Sequence, residues 1–159
     1  MLPDMSEVLF YHLERATLEH VLPGLLEKTL ERGWKAVVQG GSREKLEALD
    51  NHLWTYRDEA FLPHGLMVVN DEDKNSRQPV LLSDQETRSN EPQILFLVDG
   101  AQTDASSIDT LARCVMIFDG RDETAVGDAR GFWKSAKAAG HDVTYWKQSS
   151  AGRWEKQGN

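Results

Sequence analysis

Short apolar runs alternate with stretches of helical periodicity along this chain, and that alternation predicts its architecture. Ser6 to His12 carries β-branched and aromatic residues and reads as an opening strand. From about Thr17, the residues Leu18, Val21, Leu22, Leu25, Leu26, Thr29 and Leu30 recur on one helical face, with Gly33 beyond them as a stop signal. Pro23 falls inside this pattern and removes a hydrogen bond, which predicts a kink there or a helix starting near Leu22. Trp34 to Gln39 reads as a second strand, and Gly40-Gly41 turns the chain. Ser42 is a natural N-cap for a helix carrying Leu46, Leu49, Leu53 and Trp54. Gly40-Gly41-Ser42 lacks the further glycines and the Lys-Ser/Thr pair of a phosphate-binding loop, so it reads as a tight turn with a capping serine.

Beyond residue 70 the pattern continues with shorter strands. Asp71 to Arg77 reads as a charged linker, and Gln78 to Leu82 as an apolar piece whose Pro79 suits an edge strand. Ser83 to Gln93 is a polar connector. Ile94 to Val98 is the most continuous apolar run, as expected of a strand covered on both faces, and Asp99-Gly100 ends it. One or two helical turns fit Ser106 to Leu111, and Arg113 to Phe118 is a further buried strand. A long helix is expected from Asp122 and Glu123 to Gly140, with Ala125, Ala129, Phe132, Ala136 and Ala139 facing a sheet. Asp142 to Gln148 is a last strand, and residues 149–159 form a short C-terminal extension or hairpin strand. Strand, helix, strand, helix predicts an α/β fold: a Rossmann-like open mixed sheet, mostly parallel, with helices on both faces, in one domain over residues 1–159.

Composition removes several function classes. No apolar run approaches the ~20 residues needed to span a bilayer, and the N-terminus lacks the basic and apolar blocks of a signal peptide, so a cytoplasmic protein without membrane contact is expected. Cys114, the single cysteine, sits between apolar residues and reads as a buried strand thiol. With five scattered histidines and no second cysteine, no metal site and no cofactor are expected. The adjacent carboxylates of the 71–77 linker read as a solvated loop rather than a metal site.

Charge is unevenly spread. The chain carries −8 overall, yet from residue 130 onward six Lys and Arg face Asp142 and Glu155 alone, so this end is +4 and the rest −12. Within it Arg130, Trp133, Lys134 and Lys137 stand at i, i+3, i+4 and i+7, three cations and an indole on one helical stripe. Such a stripe also fits a solvated helix face with one half-buried Trp. An acidic chain with a local basic surface suits an anion met at one place, and leaves direct DNA binding weak or absent. A second unusual stretch follows Trp54: Phe61, Leu62, Pro63 and His64 form an apolar loop stiffened by the proline. Partner binding and packing onto the sheet edge both account for it.

The ordered combination of Leu53-Trp54, Phe61-Leu62-Pro63-His64, Pro79-Val80, Arg130-x-x-Trp133-Lys134, Ala139-Gly140 and Tyr145-Trp146-Lys147 resembles the chi subunit of bacterial DNA polymerase III holoenzyme over nearly the full length. The resemblance implies a non-catalytic accessory subunit that ties the clamp-loader complex to single-stranded DNA-binding protein through that protein's acidic, Phe-terminated tail. It implies that Arg130 and Lys134 pair with carboxylates and that Trp133, where the family more often has tyrosine, walls the pocket for the terminal ring, with Lys137 adding attraction. It further implies a second surface, Trp54, Phe61, Pro63 and His64, for the psi subunit or an accessory helicase. The alternative is a nucleotide- or nucleic-acid-processing enzyme on the same scaffold, with Asp99 and Asp119 at strand C-termini.

Overall fold

In a computed structural model, residues 6–56 and 62–157 are described. Their strands form one eight-stranded sheet in the order β3-β4-β2-β5-β6-β1-β7-β8. The strands are β1 (Glu7–Leu13), β2 (Ala36–Gln39), β3 (Gly65–Leu66), β4 (Val80–Ser83), β5 (Ile94–Leu97), β6 (Arg113–Asp119), β7 (Asp142–Gln148) and β8 (Trp154–Gln157). All neighbours pair in parallel except β7 and β8, which are antiparallel. The four central apolar runs are buried on both faces, as a parallel sheet between helical layers demands.

Helices α1 (Leu18–Glu31) and α2 (Arg43–Thr55) pack one face, where Leu22, Leu26, Leu46, Leu49 and Leu53 meet Val38, Leu82, Phe96 and Ile117. Helix α4 (Glu123–Ala138) and a single 3-10 turn (Ala105–Ile108) pack the other, where Ala129, Phe132 and Ala136 meet Val8, Phe10, Cys114 and Met116. Side chains pointing alternately from each strand feed these two cores. Cys114 lies in the second, and burial pushes its thiol up to about 12. A thiol-specific reagent should therefore leave the folded protein unmodified and react stoichiometrically once it is unfolded, read by absorbance of the released chromophore.

Ser42 forms the cap expected of it, and Thr17 and Asp122 cap two further helices. Thr17, Ser42 and Asp122 each accept a backbone N–H in the first turn of α1, α2 and α4, and Gly140, at φ 88°, follows the last. Gly41 is required by close approach: a Cβ there would lie 2.1 Å from the Asp99 carbonyl oxygen.

Several expectations are corrected. Helix α1 begins at Leu18, not near Leu22, and runs through Pro23. The carbonyl of Glu19, which would have bonded the N–H that proline lacks, instead accepts from Nε2 of His52 on α2 at 2.7 Å. His52→Ala should therefore cost about 0.5–1.5 kcal/mol by urea unfolding, and less in a Pro23→Ala background where the helical bond can form. The 71–77 linker contains a helix, α3 (Glu72–Ser76), capped by Asp71; its buried Asn75 bonds both backbone groups of Val68 at 2.9 Å. Strand β4 is not an edge, because the two-residue β3 lies outside it. Ala139 is exposed at the C-cap of α4 rather than turned to the sheet.

Candidate protein-binding groove

Helix α4 rests on the sheet through Ala129, Phe132 and Ala136, and the Phe132 ring stands 5.9 Å from that of Phe10. With 100° between successive residues, the anchors leave Arg130, Trp133, Lys134 and Lys137 along one flank. Asp128, on the opposite flank, and Ala125, on the sheet-facing side, line a cavity over the C-terminal ends of β5 and β6. The cationic flank therefore runs beside β7.

Trp133 is half-buried against the core, and Lys137 Nζ lies 4.6 Å from the centre of its ring, a cation–π contact that stiffens the indole and covers part of it. Arg130 and Lys134 are exposed, one helical turn apart, and among the described residues neither has a carboxylate within ion-pair distance. Two adjacent cations without internal partners keep a positive potential that an external anion can use.

The floor beside this flank comes from β7, whose Tyr145 stacks on Phe10 with ring centres 5.9 Å apart. Tyr145 is half-buried, and its hydroxyl lies 2.7 Å from Nδ1 of His12 on β1. His12 Nε2 lies 2.8 Å from a Glu14 carboxylate oxygen. Glu14 also stands 3.7 Å from Lys147 Nζ. Burial pushes the Tyr145 phenol above its ordinary pKa, with the Arg130 guanidinium pulling the other way, so Arg130 is an electrostatic neighbour of the floor. Burial likewise lowers the His12 imidazole below its usual value against the opposing pull of Glu14. Gly120 is tightly confined here: a Cβ would fall 1.9 Å from His12 Nε2.

The second predicted surface is less open than the sequence suggests. Leu62 and His64 are buried, Pro63 is half-buried, and Phe61 lies outside the described residues. Nδ1 of His64 meets the Leu62 carbonyl at 2.6 Å, and Nε2 lies 3.1 Å from an Asp50 carboxylate oxygen. Trp54 is 46% exposed, with its ring centre 4.1 Å from that of His64. Of the described residues of that set, Trp54 and Pro63 retain accessible apolar surface.

The strand ends proposed for an enzyme border the cavity of about 420 Å³ between the N-termini of α1 and α4. Asp119 is occupied there: its carboxylate accepts from the Arg121 backbone at 2.9 Å and from the Arg121 guanidinium at 3.1 Å, which holds its pKa below the ordinary value. Burial raises the Asp99 carboxyl. Among the described residues no three His, Cys, Asp or Glu side chains converge on a point that could hold a metal.

Residues 5–144 match the family described as DNA polymerase III chi subunit, HolC. The chain belongs to this family. It is similar to a protein of Rickettsia prowazekii (strain Madrid E) named "Probable DNA polymerase III subunit chi", 24% identical over 114 residues that cover 72% of this chain. The chain spans 66% of the length of that relative. Among solved structures it is similar to the C-terminal domain of the DEAD-box protein Dbp5, with a TM-score of 0.55 at 12% identity over 90% of this chain and 91% of that one. The latter likeness speaks to the fold alone: an α/β sheet layered by helices. The family is described as a subunit of DNA polymerase III, and membership carries that much for this chain. Among the described residues of this chi-family chain, no helix is long and apolar enough to cross a membrane.

Tyr145, His12 and Glu14 were not singled out as site residues by sequence reasoning. The available signal was strand alternation, since Val143, Tyr145 and Lys147 share the face that α4 covers.

Proposed function

We propose that this chain is a non-catalytic replication adaptor, whose α4–β7 groove binds the acidic, Phe-terminated C-terminal tail of single-stranded DNA-binding protein and links it to the clamp-loader complex of DNA polymerase III. The observation that carries the reading is the pair Arg130 and Lys134, exposed and unneutralised beside the half-buried Trp133. A flexible acidic peptide supplies carboxylates for the two cations and a terminal ring for the indole wall. Tyr145 adds a second aromatic surface and a hydroxyl oriented by His12. The remaining part of the adaptor is the surface of Trp54, Phe61, Pro63 and His64, which would hold the psi subunit or an accessory helicase, with Trp54 and Pro63 as the apolar contacts and His64 as a positioning residue beneath Trp54.

Titration of a labelled acidic peptide ending in Phe into the purified protein tests the first half. Saturable binding is expected, weakening as salt rises because exposed pairs are screened over about 8 Å at physiological ionic strength. Salt-independent binding, or none, would refute the reading.

A further inference from the structure

Strand β8 prolongs the sheet past β7, in the segment 149–159 that follows the family match ending at residue 144. In its antiparallel register Gln157 stands opposite Tyr145 and Glu155 opposite Lys147. Residues directly opposite share a face with Cβ atoms roughly 5 Å apart, so Gln157 and Glu155 lie on the same side as α4. Tyr145 and Gln157 are half-exposed, and Lys147 and Glu155 are exposed, so this two-strand ledge is open to solvent beside the cationic flank. Glu14, Arg15, Lys147, Gln148, Glu155 and Gln157 border a shallow recess there.

We infer that the β7–β8 ledge extends the tail-binding groove and selects for the length of the acidic stretch that precedes the terminal ring. This inference rests on the reading proposed above. Along the groove the charges are graded. At the α4 side Arg130 and Lys134 have no internal counter-charge. On the ledge, Lys147 has two acidic neighbours, Glu14 at 3.7 Å and its register partner Glu155. An acidic peptide lying along α4 meets free cations first and then a recess where Lys147 and Arg15 are offset by Glu14 and Glu155 of the protein itself. Further acidic residues of the peptide gain nothing there and are repelled by Glu155. The ledge thus sets a limit: a short acidic stretch next to the ring is favoured, and a long one wins little more. Glu155 is a specificity-determining residue in this scheme, acting by repulsion of a peptide carboxylate. Continuity with the free cations of the α4 flank selects this occupant over a basic or neutral chain.

The experiment titrates two Phe-ended peptides, one with two acidic residues before the ring and one with six, into the full chain and into Glu155→Gln, Glu155→Lys and Lys134→Glu. Glu155 is exposed on an edge strand, so the variants are expected to fold, and circular dichroism with thermal melts checks it. The native chain should bind the two peptides within roughly threefold of each other. Glu155→Lys should tighten the six-acid peptide by roughly three- to tenfold with a steeper salt dependence, leave the two-acid peptide nearly unchanged, and exceed the effect of Glu155→Gln. If Glu155→Lys leaves both peptides unchanged while Lys134→Glu abolishes binding, the ledge lies outside the groove and the inference fails alone. If Lys134→Glu leaves both affinities unchanged, the reading of the α4 flank fails and the ledge inference with it.

Discussion

Lys134→Glu should abolish binding of the acidic tail peptide and leave the fold untouched. The side chain is exposed and has no internal ion pair among the described residues, so its reversal removes no packing and strands no buried group. In the complex it would replace a charge-assisted bond by repulsion one turn from Arg130. Removing such a bond costs about 1.5–3 kcal/mol and repulsion adds to it, so the dissociation constant should rise by a factor of roughly 10–100 or more. Fluorescence anisotropy measures the affinity, and an unchanged melting temperature shows that the loss is local. Lys134→Gln, which deletes the charge without reversing it, should fall between. A native-like affinity in Lys134→Glu would refute the assignment of the groove.

The second large effect is on stability. Phe132 plants α4 on the sheet, buried against Phe10 and the surrounding aliphatic side chains. Phe132→Ala removes the ring and leaves a cavity beneath the cationic flank, so unfolding free energy should fall by about 3–5 kcal/mol. That is a large part of the ~5–15 kcal/mol that holds a typical domain together. Urea denaturation should show a lower midpoint with an unchanged slope. Affinity for the peptide, measured well below the midpoint, should change far less, because the groove's charged and aromatic groups remain. A drop below about 1 kcal/mol would mean that α4 is held chiefly by other contacts.

Where sequence and structure agree, the agreement comes from local physics. Seven residues with β-branched and aromatic content make β1 legible, and a cap, a 3.6-residue apolar period and a left-handed glycine bound α4 at both ends. The cationic stripe needs nothing beyond helical spacing. What escapes notice is set by residues distant in the chain. Strand β3 has two residues, too few for a period, and α3 has five, held by the Asp71 cap and by the amide of Asn75. Pro23 is tolerated because His52, on another helix, serves the carbonyl it abandons. The 62–64 segment could be exposed or packed on sequence grounds; Leu62 and His64 are buried, Pro63 half-buried, and the histidine meets Asp50 and the Leu62 carbonyl. The groove floor joins His12 to Tyr145 across 133 positions, a pairing that no local pattern announces.

The placement of β1 has a consequence for the order of events during synthesis. Among the described strands it is made first, yet its neighbours in the sheet are β6 and β7, which follow it by about a hundred residues or more. Strands β2, β4 and β5 can assemble while translation continues, whereas β1 must wait for partners about a hundred residues downstream, a non-local pairing of the kind that slows folding. Because the proposed groove takes His12 from β1 and Tyr145 from β7, a nascent chain would present it only once β7 has docked beside β1.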